Sequence, residues 1–395
     1  GPGPPWIPHA VRLPSHHVTA GNWMLMLHGF AFGQYDWQQG PRGADQFGSL
    51  NWAMLMASRD VAGGRLQLRF MPSLDPLTVG DCGYPLLLQS GETCGGVPLV
   101  DRQHPHDFFM ELGALYERPV TDNLAVLLYA APAGEPALGP VAFMPRPSAM
   151  DEPQAPLGHH WQDATHISFG VVTAGLFTRT VRLEASAFNG TEPDEERWGF
   201  DPIALNSVSG RLTVNPNANW SFTAGYGWME NPERAVPEEA TTRFVASAMH
   251  GRSLVGGQWA STLVYGRNAH ENHEPSHSVL AETEAVLDRN TIFGRVEWLQ
   301  KSAHDLQLET FPDELTFNVA AMSLGYIREL VGGKGVTLGL GARGTVNLVP
   351  AALESAYGSR TPVGAMIFLR VSPAFAPGGE MSMDDMGHDG HARRE

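Results

Sequence analysis

Residues 22–35 read NWMLMLHGFAFGQY, and the two faces of this stretch differ. One face carries Trp23, Leu25, Leu27, Gly29, Ala31, Gly33 and Tyr35. The other carries Met24, Met26, His28, Phe30, Phe32 and Gln34. Successive side chains of a strand point to opposite sides. The first face is therefore apolar or small throughout, with an aromatic residue at each end. A strand that meets lipid outside and interfacial girdles at both ends has this pattern. A water-facing strand would alternate apolar with polar residues on its outer side.

The same rhythm recurs along the chain. Leu66, Leu68 and Phe70 alternate with Arg65, Gln67 and Arg69, and Val181, Leu183, Ala185 and Ala187 with Arg182, Glu184 and Ser186. Trp220, Phe222, Ala224, Tyr226 and Trp228 oppose Ser221, Thr223, Gly225 and Gly227. Sixteen such segments are read: 22–35, 47–58, 64–71, 108–117, 123–131, 166–177, 181–188, 205–214, 220–229, 242–250, 257–267, 278–287, 290–299, 315–327, 336–346 and 362–371. In 47–58 and 108–117 the alternation leaves open which face points out. Short connections alternate with longer ones, the largest being 72–107 and 132–165. Short turns on one rim and long loops on the other predict an all-β, transmembrane, antiparallel β-barrel spanning 22–371, with periplasmic turns and extracellular loops. An even strand count leaves both termini on the periplasmic side. Residues 1–21, rich in Pro and His, are expected to be flexible. Residues 372–395, rich in Gly, Met, Asp and His, are expected to be disordered.

Composition agrees. The net charge of -16 argues against a nucleic-acid partner, which calls for a basic stripe. A charged fraction of 17% with 43% hydrophobic residues argues against a disordered chain. No run of 18 apolar residues is present, so no transmembrane helix is expected. Residues 1–9 have neither a basic start nor an apolar core, so a signal peptide is either lacking or already removed.

The alternation places Arg65, Arg69, Arg182, Arg211, Arg243, Arg295, Arg343 and Arg370 on the inner side, with Glu111, Glu184, Glu282, Glu284 and Glu297. In a water-filled pore these charges would set a transverse field and tune which ions pass; a polar plug is the other reading. Cys82 and Cys94 lie in the second long loop on the extracellular rim, where nothing keeps thiols reduced, and a disulfide between them is expected. The two longest loops also carry apolar stretches, 86–88 and 141–144, that should not face water, so the loops are expected to pack on each other at or inside the mouth.

Histidines cluster where those loops enter their strands: His104 and His106 with Asp107, then His159, His160 and His166 with Asp163. Imidazole is the commonest ligand for zinc, copper and nickel, and carboxylate supplements it. A first-row metal site near the extracellular rim is one reading. Loop packing by Asp–His and Arg–Asp pairs is the other. His270, His273 and His277 form a weaker group. Met381, Met383, Met386, His388 and His391 make the C-terminal tail a thioether and imidazole ligand set suited to copper. Met24, Met26 and His28 face the lumen and either extend a soft path or merely fill space. No GxSxG or comparable nucleophile motif occurs, and an enzyme is not expected.

The stretches WMLMLHGFAFGQYDWQQGPRG (23–43), PLVDRQHPHDFFMELGALY (98–116), GEPALGPVAFMPRPSAM (134–150) and APLGHHWQDATHISFGVVTAG (155–175) resemble an uncharacterised family of bacterial outer-membrane β-barrel proteins. Its members tend to occur beside copper-efflux and copper-resistance proteins and often carry Met/His-rich tails. The resemblance covers most of the chain and supplies no activity or catalytic residues. It implies copper as the ion handled; zinc is the other ion that the imidazole and carboxylate groups suit. The expected role is a porin-like barrel handling copper or another soft transition metal in the outer membrane of a Gram-negative bacterium. Its partners are outer-membrane lipid, metal ions or small solutes, and a periplasmic metal-handling or redox protein. Two alternatives stand: a general diffusion porin whose histidines are structural, and a scaffold docking a periplasmic electron carrier or efflux component.

Overall fold

A computed structural model describes residues 7–233, 240–270, 274–333 and 335–375. In chain order the strands are β1 (Ser15–Ala20), β2 (Trp23–Gln38), β3 (Asp45–Val61), β4 (Gly64–Pro72), β5 (Tyr84–Cys94), β6 (Val97–Gln103), β7 (Phe109–Thr121), β8 (Leu124–Gly134), β9 (Ser168–Phe177), β10 (Val181–Phe188), β11 (Ser207–Asn217), β12 (Trp220–Met229), β13 (Thr241–Leu254), β14 (Gly257–His270), β15 (Ser276–Leu287), β16 (Asn290–Ser302), β17 (Thr316–Val331), β18 (Val336–Leu348) and β19 (Val363–Pro373). β2, β3, β4 and β7 pair in that order, each later strand pairs with the next, and β19 returns to β2. The result is a closed antiparallel barrel of sixteen strands, one in each of the sixteen segments read from alternation. Lipid-facing side chains explain why Trp220, Phe222, Tyr226 and Trp228 stand exposed while Ser221 and Thr223 between them are buried. In β3 the inner face is Leu50, Trp52 and Met54, and Leu55 points out.

One feature departs from the sequence reading, and a second settles an alternative it left open. The first is at the N-terminus, where residues 1–21 were expected to be flexible. β1 pairs with β2 over Trp23 to His28, directly below the stretch of β2 that β19 occupies. Upstream of it, the chain crosses the periplasmic end: Ala10 N–H donates to Ala218 O (2.8 Å), and Gln258 bonds both backbone groups of Arg12 (2.8 and 2.9 Å). A Pro-rich strap needs no alternation to be ordered, because turn residues of the barrel satisfy its backbone.

The second feature is the bore, for which an open charged pore and a polar plug are both readings of the sequence: returning loops fill it, against the open-pore reading. In the second long loop a short helix, α1 (Asp75–Thr78), lies against β3. The β5–β6 hairpin then buries Leu86, Leu87 and Leu88 against inward Phe30, Phe32 and Trp52. In the third long loop every residue from 136 to 159 is buried. The two loops touch: Ala155 N–H donates to Tyr84 Oη (2.9 Å), and Gln89 Nε2 to Pro156 O (3.2 Å). Alternation reports only which side of the wall a residue faces. Whether water or a returning loop fills that side is settled by contacts far apart in sequence.

The inner charges anchor this filling. Arg146 of the third loop is fully buried and bonds Glu282 on β15 (2.6 Å). Asp151 meets Arg370 (2.5 Å), Glu152 meets Arg343 (2.7 Å) and Arg295 (3.5 Å), and Gly158 N–H donates to Glu297 (3.2 Å). Glu284 accepts from Asp151 N–H (3.1 Å). On the opposite wall the charges pair among themselves: Arg69 with Glu111 (3.5 Å), Arg182 with Glu117 (2.7 Å), Arg211 with Glu184 (3.1 Å). Arg243 bonds Asn268 (2.9 Å). Arg65 stands apart from the bore, at the periplasmic rim beside Asp60 (3.4 Å).

Candidate functional site

The third loop leaves β8 and returns to β9 through a helical turn, α2 (His159–Gln162), and a 3-10 turn (Ala164–His166). These turns project His159, His160 and His166 toward the segment just before β7 that carries His104 and His106. The five rings form one contiguous group. Centroids are 5.3 Å apart for His159 and His160, 5.1 Å for His159 and His166, 5.6 Å for His106 and His166, and 5.8 Å for His104 and His160.

Each ring is anchored through Nδ1. His159 Nδ1 meets Asp163 Oδ1 (2.7 Å), His106 meets Asp75 Oδ2 (2.7 Å) and His160 meets Glu192 Oε1 (3.0 Å). His166 Nδ1 meets Asp163 O (2.8 Å), and His104 Nδ1 meets Pro105 O (3.2 Å). Carbonyls and carboxylates only accept, so each ring carries a proton on Nδ1, and wherever the ring is neutral Nε2 is left as a lone pair. Burial holds His166 down at about 3 and also depresses His104 and His159, which keeps these rings neutral. Nε2 of His104, His160 and His166 is buried without a hydrogen-bond partner. His104 Nε2 lies 3.2 Å from Glu92 Oε1. A lone pair facing a carboxylate is repulsive unless a proton or a metal ion sits between them. Two tetrahedral ligands at about 2.0–2.1 Å from one ion lie about 3.3 Å apart, close to that separation.

Among the described residues, no three His, Cys, Asp or Glu side chains are already arranged to hold one ion. The group is thus a set of pre-oriented imidazoles that would have to turn to share a metal. His160 is the least free to do so, because Gly91 packs on its ring: a Cβ built at Gly91 would fall 2.4 Å from His160 Nε2. Gly91 also has φ +125°, so G91A is expected to displace His160 and cost about 1–3 kcal/mol, read as a lower unfolding midpoint.

Asp163 orients His159 and also accepts from Phe143 N–H (3.1 Å), while Asp107 turns away to Arg197 (3.4 Å). Arg197 in turn pairs with Glu92. The orienting residues Asp75, Glu92 and Glu192 were not legible in the sequence, since each lies in a loop without a motif. His270 and His277 do not join the group; they meet Thr241 Oγ1 (2.9 Å) and Tyr265 Oη (2.8 Å). His273 and Met381, Met383, Met386, His388 and His391 lie outside the described residues. Cys82 and Cys94 are joined by a disulfide, with Cα atoms 5.4 Å apart.

One ring of the group, His160, reaches a cleft that opens toward the exterior. This cleft of about 860 Å³, open mouth included, is lined by His160, His270, His304, Glu92, Glu192, Glu195, Glu233 and Asp305, with no Arg or Lys among its described lining residues. Such a mouth attracts cations and repels anions.

No protein-family model and no curated protein matches the chain. Solved structures similar in fold include an anion-selective porin from Comamonas acidovorans, at 12% identity, covering 89% of this chain and 99% of that one, with TM-score 0.50. The outer membrane channel DcaP of Acinetobacter baumannii matches at 10% identity, 90% and 98% coverage and TM-score 0.50. OprB of Pseudomonas putida matches at 10% identity, 89% and 94% coverage and TM-score 0.51. At such identities the likeness concerns the fold. The chain has the closed sixteen-stranded transmembrane barrel architecture of these outer-membrane porins.

Proposed function

We propose that this porin-like barrel handles a late first-row transition metal, copper or zinc, as cargo at the outer membrane. The observation that carries the reading is the set of five imidazoles, each held by Nδ1, with Nε2 of His104, His160 and His166 buried and unpartnered and His160 at the edge of a carboxylate-lined cleft. Metal-binding histidines are oriented in this way by carboxylates and carbonyls. His104 with Glu92, His159, His166 and His106 are the ligands we assign; Asp163 and Asp75 hold two of the rings. The inner charges position the loops that carry the ligands. Downstream of β19, whose last residues lie at the periplasmic end, Met381, Met383, Met386, His388 and His391 offer a softer set. We assign them to exchange the ion with a periplasmic metal-handling or redox protein. The test is calorimetric titration of the full-length barrel in detergent with Zn(II) and Cu(II). Equal affinities in the wild type and in the histidine variants described below would overturn the reading.

A second reading, general diffusion of small solutes, is favoured by the porin architecture of the structural neighbours. Planar-bilayer recording separates the two. Because residues 136–159 fill the bore, single-channel conductance is expected to be several-fold below that of an open sixteen-stranded pore. A large, steady, metal-independent conductance would favour diffusion instead.

A further inference from the structure

A second group of soft ligands lies away from the mouth, on the inner face near the periplasmic turns. Strand register brings it together. His28 is opposite Ser15 on β1 and Met54 on β3; in the next row Met26 is opposite His17 and Met56; in the row below, Met24 is opposite Thr19 and Ser58. Directly opposed residues share a face, as do residues two apart on one strand. His17, Met24, Met26, His28, Met54 and Met56 therefore share one side of this three-stranded patch. It is the inner side, since His28 and Met54 are buried while Leu25, Leu27 and Leu55 face outward.

His28 marks this patch as more than filling. Its Nδ1 bonds Pro14 O at 2.7 Å, so the proton sits there and Nε2 carries the lone pair. That Nε2 is buried without a hydrogen-bond partner, and the ring is only 1% exposed. Trp52 and Phe30 flank it edge-on at 4.8 and 5.7 Å. A phenyl ring would occupy such an apolar setting without leaving an unmet nitrogen. Opposed Cβ atoms lie about 4.5–5.5 Å apart, and methionine has three rotatable bonds, so the thioethers flanking His28 can reach a common point. No carboxylate occurs in these rows; their remaining members are Ser15, Thr19 and Ser58.

We propose that this patch is a second metal site, specific for a soft monovalent cation: Cu(I), with Ag(I) as its redox-inert surrogate. Thioether with imidazole selects such ions, whereas the mouth, with its carboxylates, suits Zn(II) and Cu(II). The ligands are His28 with Met26, Met54 and Met56; no change in oxidation state is involved. The site does not depend on the mouth cluster binding metal.

The experiment is Ag(I) titration of the full-length barrel carrying M381L/M383L/M386L, which silences the tail thioethers, with X-ray absorption at the silver edge. One Ag(I) with sulfur and nitrogen neighbours is expected. M54L/M56L, a swap that conserves volume, should weaken binding at least tenfold and remove sulfur neighbours. It should leave Zn(II) affinity unchanged. If that variant fails to fold, M26L is read in its place. Absence of Ag(I) binding in the tail-silenced barrel, or Ag(I) affinity unmoved by the Met→Leu changes, overturns the site. H159A/H166A separates the two sites: it is expected to weaken Zn(II) and to leave Ag(I) binding intact.

Discussion

Replacing Arg146 by alanine is expected to destabilise the barrel by about 3–5 kcal/mol and to raise its conductance. Arg146 is fully buried, in a loop that crosses the bore. Its guanidinium bonds Glu282 through Nε (2.6 Å) and Nη2 (3.4 Å), donates to Val141 O (3.1 Å) and lies 3.5 Å from Asp163. Removing the cation leaves Glu282 to Arg295 (3.1 Å) and Ser148 (2.8 Å), and leaves Asp163 to the His159 ring and Phe143 N–H. Two carboxylates that shared one guanidinium are then buried with less compensation, which is the costly case for an internal ion pair. The remaining links, Asp151 to Arg370 and Glu152 to Arg343, still hold the middle of the loop. The expected structural effect is therefore loosening of 141–148, not loss of the barrel. Urea unfolding in micelles and bilayer recording measure the two effects. R146M with E282Q, which removes both charges, should recover most of the stability. If R146A changes stability by less than about 1 kcal/mol, the loop is not anchored as described.

The double substitution H159A/H166A is expected to lower Zn(II) or Cu(II) affinity at least 100-fold. These two rings sit in the middle of the group, with centroids 5.1 Å apart, and Asp163 orients both, one through its carboxylate and one through its carbonyl. D163N should act more mildly, by about 10–100-fold, because it disturbs a ligand's orientation without deleting it. The order of effects is the discriminating result. If the histidines only pack the loops, D163N should damage stability as much as H159A/H166A does, since Asp163 also holds Phe143 N–H and lies beside Arg146. Metal affinity would then be weak in the wild type and unaltered by either change.

The wall of this protein is legible in its sequence. Lipid contact imposes a period of two on every crossing, so Leu25 outward and His28 inward, or Tyr226 outward and Thr223 inward, follow from local order alone. The alternation of short turns with long loops likewise settled the strand count and which rim carries the histidines. Whether residues 104–107 and 159–166 would meet was less determined. Their convergence follows from strand order, but the anchors came from elsewhere: Asp75 for His106, Glu92 beside His104 and Glu192 for His160. Nothing in the local pattern of those loops marks these residues, because a carboxylate in a polar loop looks the same whether it is solvated or holds a ring. Tertiary structure alone decided that the bore is filled. The pairs responsible, such as Arg146 with Glu282 and Glu152 with Arg343, join residues 136 and 191 positions apart. It also decided that His17, Met26 and Met56 stand in one row, since register between strands depends on how the barrel closes. A period of two tells each side chain which way to face; it carries no information about what stands opposite.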